Sequence, residues 1–190
     1  YTHGAMKESL RHIVGVQFRN CATVGGSIWG RFGFSDVLTM FLALDTEVEL
    51  FKGGRVCLWD FVKMPKDRDI LVHIIVKKTP IKTAYLSQRN TKTDFPVLAC
   101  CVSMSEDGMK AVYGARPSKA FLLEDEENIL KDVQTLSEEE KKEAYEKFAD
   151  YAARKVPTSG NMRGSAKYRT LLVKVLTRRA LEAVGGMSDE

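Results

Sequence analysis

Residues 16–51 read VQFRNCATVGGSIWGRFGFSDVLTMFLALDTEVELF, and two glycines stand between two hydroxyl residues at Thr23-Val24-Gly25-Gly26-Ser27. Glycine lacks a Cβ and tolerates positive φ, so the backbone of such a turn can approach a ligand closely. Consecutive N–H groups in a turn can also converge on an anion, typically a phosphate. The alternative is a Gly-Gly hairpin without a ligand, because such pairs are common in turns.

The residues that follow predict a buried helix and then a hairpin. Ser35-Asp36 is a helix N-cap signal, and Val37–Leu44 is apolar nearly all round, as expected of a buried helix. Glu47–Leu50 alternates polar and apolar residues, and Val56–Leu58 is predicted as the return strand. The intervening Gly53-Gly54 pair has neither flanking hydroxyls nor a following helix, so we predict no ligand there.

The remaining pattern predicts an α+β protein in two parts, residues 1–79 and 80–190, divided at the polar segment Lys77–Pro80. Ile70–Val76 is apolar enough for a central strand. The second part is expected to be an antiparallel meander, with an Asp107-Gly108 turn, followed by three helices. The other predicted segments are a helix at Met6–Val14, strands at Lys82–Leu86, Val97–Val102 and Met109–Gly114, and helices at Pro117–Leu123, Ser137–Arg154 and Ala166–Val184.

Composition excludes several classes of function. The net charge of +4 over 190 residues is mild and spread out, which argues against nucleic acid or a membrane surface as a partner. No apolar run is long enough for a membrane span. Cys21, Cys57, Cys100 and Cys101 form no C-x-x-C pair, which indicates free thiols in a reducing, cytoplasmic compartment and no iron–sulfur cluster or other metal site. No nucleophile–base pair is present, so we predict no catalytic residue.

Two separated runs carry a resemblance to a known family. Gln17–Ser27 resembles the second flavin loop of the FAD-binding subunits of molybdenum hydroxylases, which include xanthine dehydrogenases and carbon monoxide dehydrogenases. In that family the loop has the pattern hydrophobic-Arg-Asn-x-Ala-Thr-hydrophobic-Gly-Gly-Asn. The residues that follow it in the family are matched here by Ser35-Asp36 and Ala43–Leu50. Arg163–Arg169 and Leu176–Leu181 are similar to the end of the flavoprotein's C-terminal domain. The resemblance covers nearly the whole chain.

The resemblance implies the C-terminal part of a PCMH-type FAD-binding domain, followed by a three-stranded antiparallel sheet with a helix bundle. It also implies a set of cofactor-binding residues on both parts of the chain. The diphosphate and ribityl group would be held by Thr23, Val24, Gly25, Gly26 and Ser27. Asp36 would accept hydrogen bonds from sugar or ribityl hydroxyls, or simply cap its helix. Ile13 would lie beside the flavin ring or in the core, and Tyr85 and the loop Gln88–Asp94 would approach the ring.

The function implied is that of an FAD-binding, xanthine dehydrogenase-like electron-transfer subunit. Electrons would pass from iron–sulfur clusters through FAD to NAD+ or another acceptor, and the molybdopterin and the clusters would reside on partner subunits. Ser27 replaces the family's Asn, Val97 stands where xanthine dehydrogenases often carry a lysine, and nothing corresponds to an earlier Gly-rich loop. A flavin-free scaffold that docks the partner subunits, or an α+β module that binds another phosphate ligand, therefore remains an alternative.

Overall fold

Two antiparallel sheets organise the computed structural model, which describes residues 1–13, 15–106 and 108–186. The first sheet has the order β2-β1-β3 and the second the order β4-β5-β6-β7. The elements are, in chain order, α1 (Ala5–Leu10), α2 (Val16–Cys21), α3 (Val24–Trp29), α4 (Asp36–Ala43), β1 (Thr46–Leu50), β2 (Gly54–Cys57), α5 (Leu58–Lys63), β3 (Leu71–Val76), β4 (Lys82–Gln88), β5 (Leu98–Ser105), β6 (Gly108–Gly114), β7 (Phe121–Leu123), a 3₁₀ turn (Val133–Thr135), α6 (Glu138–Lys155) and α7 (Ala166–Gly185).

The first sheet confirms the predicted hairpin and corrects the predicted centre. β1 pairs antiparallel with β2, and Leu50 lies opposite Gly54, whose φ of 67° is a conformation that glycine adopts without strain. β3 pairs only with β1 among the described strands, so it is an edge strand and the central position predicted for Ile70–Val76 is wrong. Ile70 and Val72 are largely exposed there. Apolar composition alone does not distinguish a central strand from an edge strand.

The second sheet contains the three predicted strands and one more. Phe121–Leu123 pairs with Ala111–Tyr113 of β6 as the short strand β7, so the helix predicted at Pro117–Leu123 is wrong. A three-residue strand is too short to show a period of two, which explains why the sequence pattern missed it. Asp107, predicted in the β5–β6 turn, lies outside the described residues.

β5 lies at the centre of the molecule, in a sheet covered by helices on both faces. All its residues except Ser105 are buried, because α7 lies against one face of the sheet and α4 against the other. Cys100 belongs to the cluster on the α7 side and Cys101 to the cluster on the α4 side, where its Sγ lies 3.6 Å from the Met40 Sδ. The two adjacent thiols therefore face opposite ways, as successive side chains of a strand do.

Local signals set the starts of the long helices. The Ser35 Oγ accepts the Leu38 N–H and begins α4, which is buried as predicted. Ser137 begins α6 with a complete capping box, its partner being Glu140. Ser165 begins α7 with a side-chain cap alone, since its Oγ accepts the Tyr168 N–H. The first helix is shorter than predicted and ends at Leu10; Val14, its predicted last residue, lies outside the described residues.

Arg169 holds together the loop before α7. Its side chain is fully buried, and its guanidinium donates to the carbonyl oxygens of Val97 (2.8 Å), Ser159 (2.8 Å) and Gly164 (2.5 Å) and to the Asn161 Oδ1 (2.6 Å). One buried cation therefore satisfies four acceptors at once. Its hydrogen bond to Val97 is buried and the other three are partly buried.

Replacing Arg169 by methionine should lower the free energy of unfolding by about 2–4 kcal/mol, because it removes four hydrogen bonds and leaves the buried Val97 carbonyl without this donor. Arg178→Met is the matched control on the same helix. Arg178 is partly exposed and pairs with Glu146 and Glu182, so its loss should cost about 1 kcal/mol or less. Urea unfolding of both variants checks this, and equal losses would contradict it.

The buried thiols predict a loss of stability in mild alkali. Burial raises the pKa of Cys100 to about 12 and that of Cys101 well above its usual value, whereas an unfolded thiol titrates at about 8.5. The folded chain keeps both protons over this interval and the unfolded chain releases them. Stability is therefore complete below pH ~8.5 and falls above it.

Each thiol should contribute a slope of about 1.4 kcal/mol per pH unit. Cys100→Ala should remove one such contribution between pH ~9 and ~10, independently of its effect on stability at pH ~7. Urea unfolding at several pH values, with reductant present, measures the slope. A slope that is the same with and without Cys100 would refute the assignment.

Candidate functional site

Thr23 begins α3, and the first turn of this helix contains the Gly-Gly pair. The Thr23 Oγ1 accepts the Gly26 N–H at 2.9 Å, and the Thr23 carbonyl accepts the Ser27 N–H at 3.1 Å and the Ser27 hydroxyl at 3.2 Å. The first N–H groups of a helix have no intrahelical acceptor. In the described part of the chain, the N–H groups of Val24 and Gly25 have no acceptor at all.

The glycines are helical, which corrects the expected turn with positive φ. Nothing in the first turn needs a left-handed residue, so a Gly-Gly pair does not by itself indicate a turn with positive φ. A Cβ built on Gly25 meets only the Leu71 Cδ2 at 3.9 Å, an ordinary contact, whereas one on Gly26 approaches the Thr23 Oγ1 at 3.0 Å. Steric demand within the protein therefore does not explain glycine at position 25.

The Gly53-Gly54 hairpin shows what the same dipeptide does when the chain supplies an anion. The Asp69 carboxylate accepts the N–H groups of Lys52 and Gly53, both at 2.9 Å, and of Ile70 at 2.8 Å. Desolvation raises the pKa of Asp69, but these backbone donors outweigh it and lower the pKa below its usual value. The hairpin amides are thus already occupied, while the leading amides of α3 are not.

Asp36 and Tyr85, which the resemblance assigned to one site, are in direct contact. The Tyr85 hydroxyl donates to the Asp36 Oδ1, and Arg89 donates to the same oxygen through Nη2 at 2.5 Å. All three side chains are buried. Desolvation and the neighbouring Asp36 charge raise the pKa of Tyr85 well above its usual value, so the phenol remains a donor. The Asp36 Oδ2 accepts no hydrogen bond from a described residue.

Arg89 lies in the loop Gln88–Asp94, which the resemblance placed near the flavin ring, but the sequence did not distinguish it from the other polar residues of that loop. It stands directly after β4, its Nη1 donates to the Asp94 carbonyl at 2.7 Å, and its buried Nε has no acceptor among the described residues. Arg163 in turn binds the Asp94 carboxylate at 3.0 Å. Nothing in the local pattern separates a buried arginine from a solvated one, because the partner, Asp36, is 53 residues away.

The other predicted residues surround α4. Ile13 is half-buried beyond the end of α1, which packs on both α4 and β4, the elements that position Asp36 and Tyr85. α3 packs on α4 and on β3, which brings the Thr23–Ser27 turn to the same helix. The fold therefore brings the elements that carry the predicted residues together about one buried helix. Within the described chain, the hydrogen bond between Tyr85 and Asp36 is the one that joins predicted residues of different elements.

Other features of the described surface lie elsewhere. A concavity of about 760 Å³ is lined by residues of β4, the β5–β6 hairpin and the 3₁₀ turn, and none of the predicted site residues lines it. The described residues hold no group of three His, Cys, Asp or Glu side chains arranged for a metal ion. No described helix is both long and apolar enough to cross a membrane.

Two family descriptions match the chain in succession. Residues 2–79 match the FAD binding domain in molybdopterin dehydrogenase, and residues 83–184 match the CO dehydrogenase flavoprotein C-terminal domain. Among curated proteins, the uncharacterized protein YgfM of Escherichia coli (strain K12) is 32% identical over 124 residues, which are 65% of this chain and 48% of YgfM. The chain thus spans about half the length of this relative.

Solved structures share the fold at low identity. Carbon monoxide dehydrogenase from Hydrogenophaga pseudoflava is 21% identical with a TM-score of 0.72, and the match covers 93% of this chain and 65% of that one. Quinoline 2-oxidoreductase from Pseudomonas putida 86 is 18% identical with a TM-score of 0.76, covering 94% and 65%. These matches confirm the predicted fold class. The chain belongs to the family of FAD-binding subunits of molybdenum hydroxylases, the carbon monoxide dehydrogenase flavoproteins.

Proposed function

We propose that this chain binds FAD as the electron-transfer subunit of a cytoplasmic, xanthine dehydrogenase-like molybdenum hydroxylase. In this proposal, electrons arrive from iron–sulfur clusters on one partner subunit, after oxidation of a substrate at the molybdopterin of another. The acceptor is NAD+ or another oxidant. Family membership supports FAD as the ligand class, and the chemistry of electron transfer belongs to the bound flavin.

The observation that carries the proposal is the pair of unoccupied amides at the start of α3. The N–H groups of Val24 and Gly25 have no acceptor in the described part of the chain, and Gly25 has no side chain to cover them. By contrast, the amides of the Gly53 hairpin are filled by Asp69. Backbone donors at a helix start favour a phosphate oxygen, because the positive end of the helix dipole lies there.

The hydroxyls of Thr23 and Ser27 are engaged within α3, so their proposed part is to fix the turn that presents the amides. Gly26 contributes in the same way, since its N–H binds the Thr23 Oγ1. The main contacts to the diphosphate are then those of Val24 and Gly25. This narrows the proposed set from five residues that bind directly to two that bind and three that support them.

Asp36, Tyr85 and Ile13 are proposed to meet the rest of the cofactor. The Asp36 Oδ2 accepts no hydrogen bond from a described residue and suits a sugar or ribityl hydroxyl. The half-buried Ile13 side chain offers apolar contact to the flavin ring system from the end of α1. Tyr85 is buried in β4 and contributes through its hydrogen bond to Asp36. These groups bind and orient the flavin, and none of them needs to exchange a proton with a substrate.

A flavin-free scaffold is the second candidate, and the exposure of α2 favours it. None of the residues of this helix is buried; Val16 is 72% exposed and Phe18 is 63% exposed. Exposed apolar side chains on one helix suit a docking surface for a partner subunit. The scaffold differs from the main proposal in one measurable respect, namely that the purified chain takes up no flavin.

Gly25→Asp tests the main proposal. The new carboxylate should weaken FAD binding by about tenfold or more, because it places a negative charge beside the amides proposed to hold the diphosphate. Folding should be unimpaired, since a Cβ at this position meets only the Leu71 Cδ2 and an acidic residue in the first turn stabilises a helix by about 0.3–1 kcal/mol. Flavin fluorescence titration and urea unfolding measure the two effects.

Gly54→Asp is the matched control, since it adds the same charge at a glycine with open space around it, and Asp is among the residues that tolerate positive φ best. It should leave FAD binding close to that of the unmodified chain. Equal FAD affinity in the unmodified chain and in the Gly25 variant would refute the α3 assignment. An unmodified chain that takes up no FAD would favour the scaffold.

A further inference from the structure

A carboxylate beside a dinucleotide needs an explanation. FAD carries negative charge on its diphosphate, and a second negative charge nearby weakens its binding, the more so in a site partly shielded from water. Asp36 begins α4, on which α3 packs, and in the proposed site its carboxylate meets the same dinucleotide as the amides of Val24 and Gly25. Unless its charge is offset, Asp36 would oppose the ligand that those amides favour.

Arg89 supplies the offset. Its side chain is 6% exposed and that of Asp36 is 8% exposed, and the two join at 2.5 Å between the Arg89 Nη2 and the Asp36 Oδ1. A hydrogen bond from Nη1 to the Asp94 carbonyl, at 2.7 Å, fixes the guanidinium from the other side. Ion pairs shielded in this way are screened far less by salt than surface pairs.

The hydrogen-bond geometry leaves one carboxylate oxygen for a ligand. Tyr85 and Arg89 both donate to the Asp36 Oδ1, and Oδ2 accepts no hydrogen bond from a described residue. The Arg89 Nε is likewise buried without an acceptor among the described residues. The cluster is therefore charge-balanced, but its hydrogen-bonding capacity is incompletely used, as expected of groups arranged for a polar ligand.

We propose that Arg89 is a positioning residue for the anionic cofactor. It offsets the charge of Asp36 and holds the carboxylate so that Oδ2 accepts a hydrogen bond from a cofactor hydroxyl beside the diphosphate. The inference rests on the proposed function and goes beyond it, because it selects one residue of the loop Gln88–Asp94 and gives it a role toward the charge of the cofactor. It also predicts a preference between two ligands that a purely structural role would not change.

The two ligands are FAD and riboflavin. They share the flavin ring and the ribityl chain, but riboflavin lacks the diphosphate and its charge. The preference for FAD is the dissociation constant of riboflavin divided by that of FAD. Arg89→Gln leaves the Asp36 charge without a partner, so this ratio should fall by about tenfold. Asp36→Asn leaves the Arg89 charge in place, and that ratio should rise. Titrations of the same chain with each flavin measure the ratio.

The double variant Asp36→Asn, Arg89→Gln completes the cycle. With both charges removed, the preference for FAD should return to within about twofold of the unmodified chain, because the charges act as a pair. Arg89→Lys keeps the charge and should keep the preference. If Arg89→Gln alone does not fold, the Asp36→Asn variant is compared with the double variant, since these two proteins differ only at position 89. The double variant should show the lower preference for FAD.

Parallel losses of FAD and riboflavin affinity in the Arg89 variants would overturn the inference, since they would indicate a structural role only. That outcome leaves the proposed function standing, because both flavins still bind the unmodified chain. An unmodified chain that binds neither flavin would instead overturn the proposed function, and this inference with it. Circular dichroism and thermal unfolding of each variant separate loss of binding from loss of fold.

Discussion

Removing a carboxylate from water is costly unless donors replace the water, and the Asp36 carboxylate meets this demand with groups from a distant part of the chain. Tyr85 and Arg89 both donate to its Oδ1. Because Asp36 begins α4 and its donors belong to β4 and the loop after it, the pairing fixes the segment before the first sheet against the second sheet. The predicted cofactor residues surround this junction, so their arrangement depends on it.

The two Gly-Gly pairs demonstrate that a dipeptide does not define an anion site; the surrounding acceptors do. In the β1–β2 hairpin the backbone amides of Lys52 and Gly53 bind the Asp69 carboxylate, and the turn is complete in itself. In α3 the Thr23 hydroxyl reaches only the third amide of the first turn. The two amides before it remain without a described acceptor, and this difference favours α3 as the place for an external anion.

Much of the secondary structure followed from local chemistry. Ser35 and Ser137 mark the starts of α4 and α6 because a hydroxyl that satisfies a first-turn amide is a local event. The β5 strand was equally predictable from its apolar run. The errors at Ile70–Val76 and at Pro117–Leu123 have one cause, since a strand's neighbours are distant in sequence and neither its position in a sheet nor a three-residue pairing leaves a local signature.

The sequence by itself determined the family, the order of helices and strands, and the residue types of the cofactor turn, because these reside in contiguous motifs and short-range periodicity. Only the tertiary structure decided that Gly25 and Gly26 are helical, that just two amides of their turn remain without an acceptor, and that Arg89 pairs with Asp36. The physical reason is range: capping and amphipathicity act over a few residues, whereas a buried charge is satisfied by whichever partner the fold brings to it, here across 53 positions.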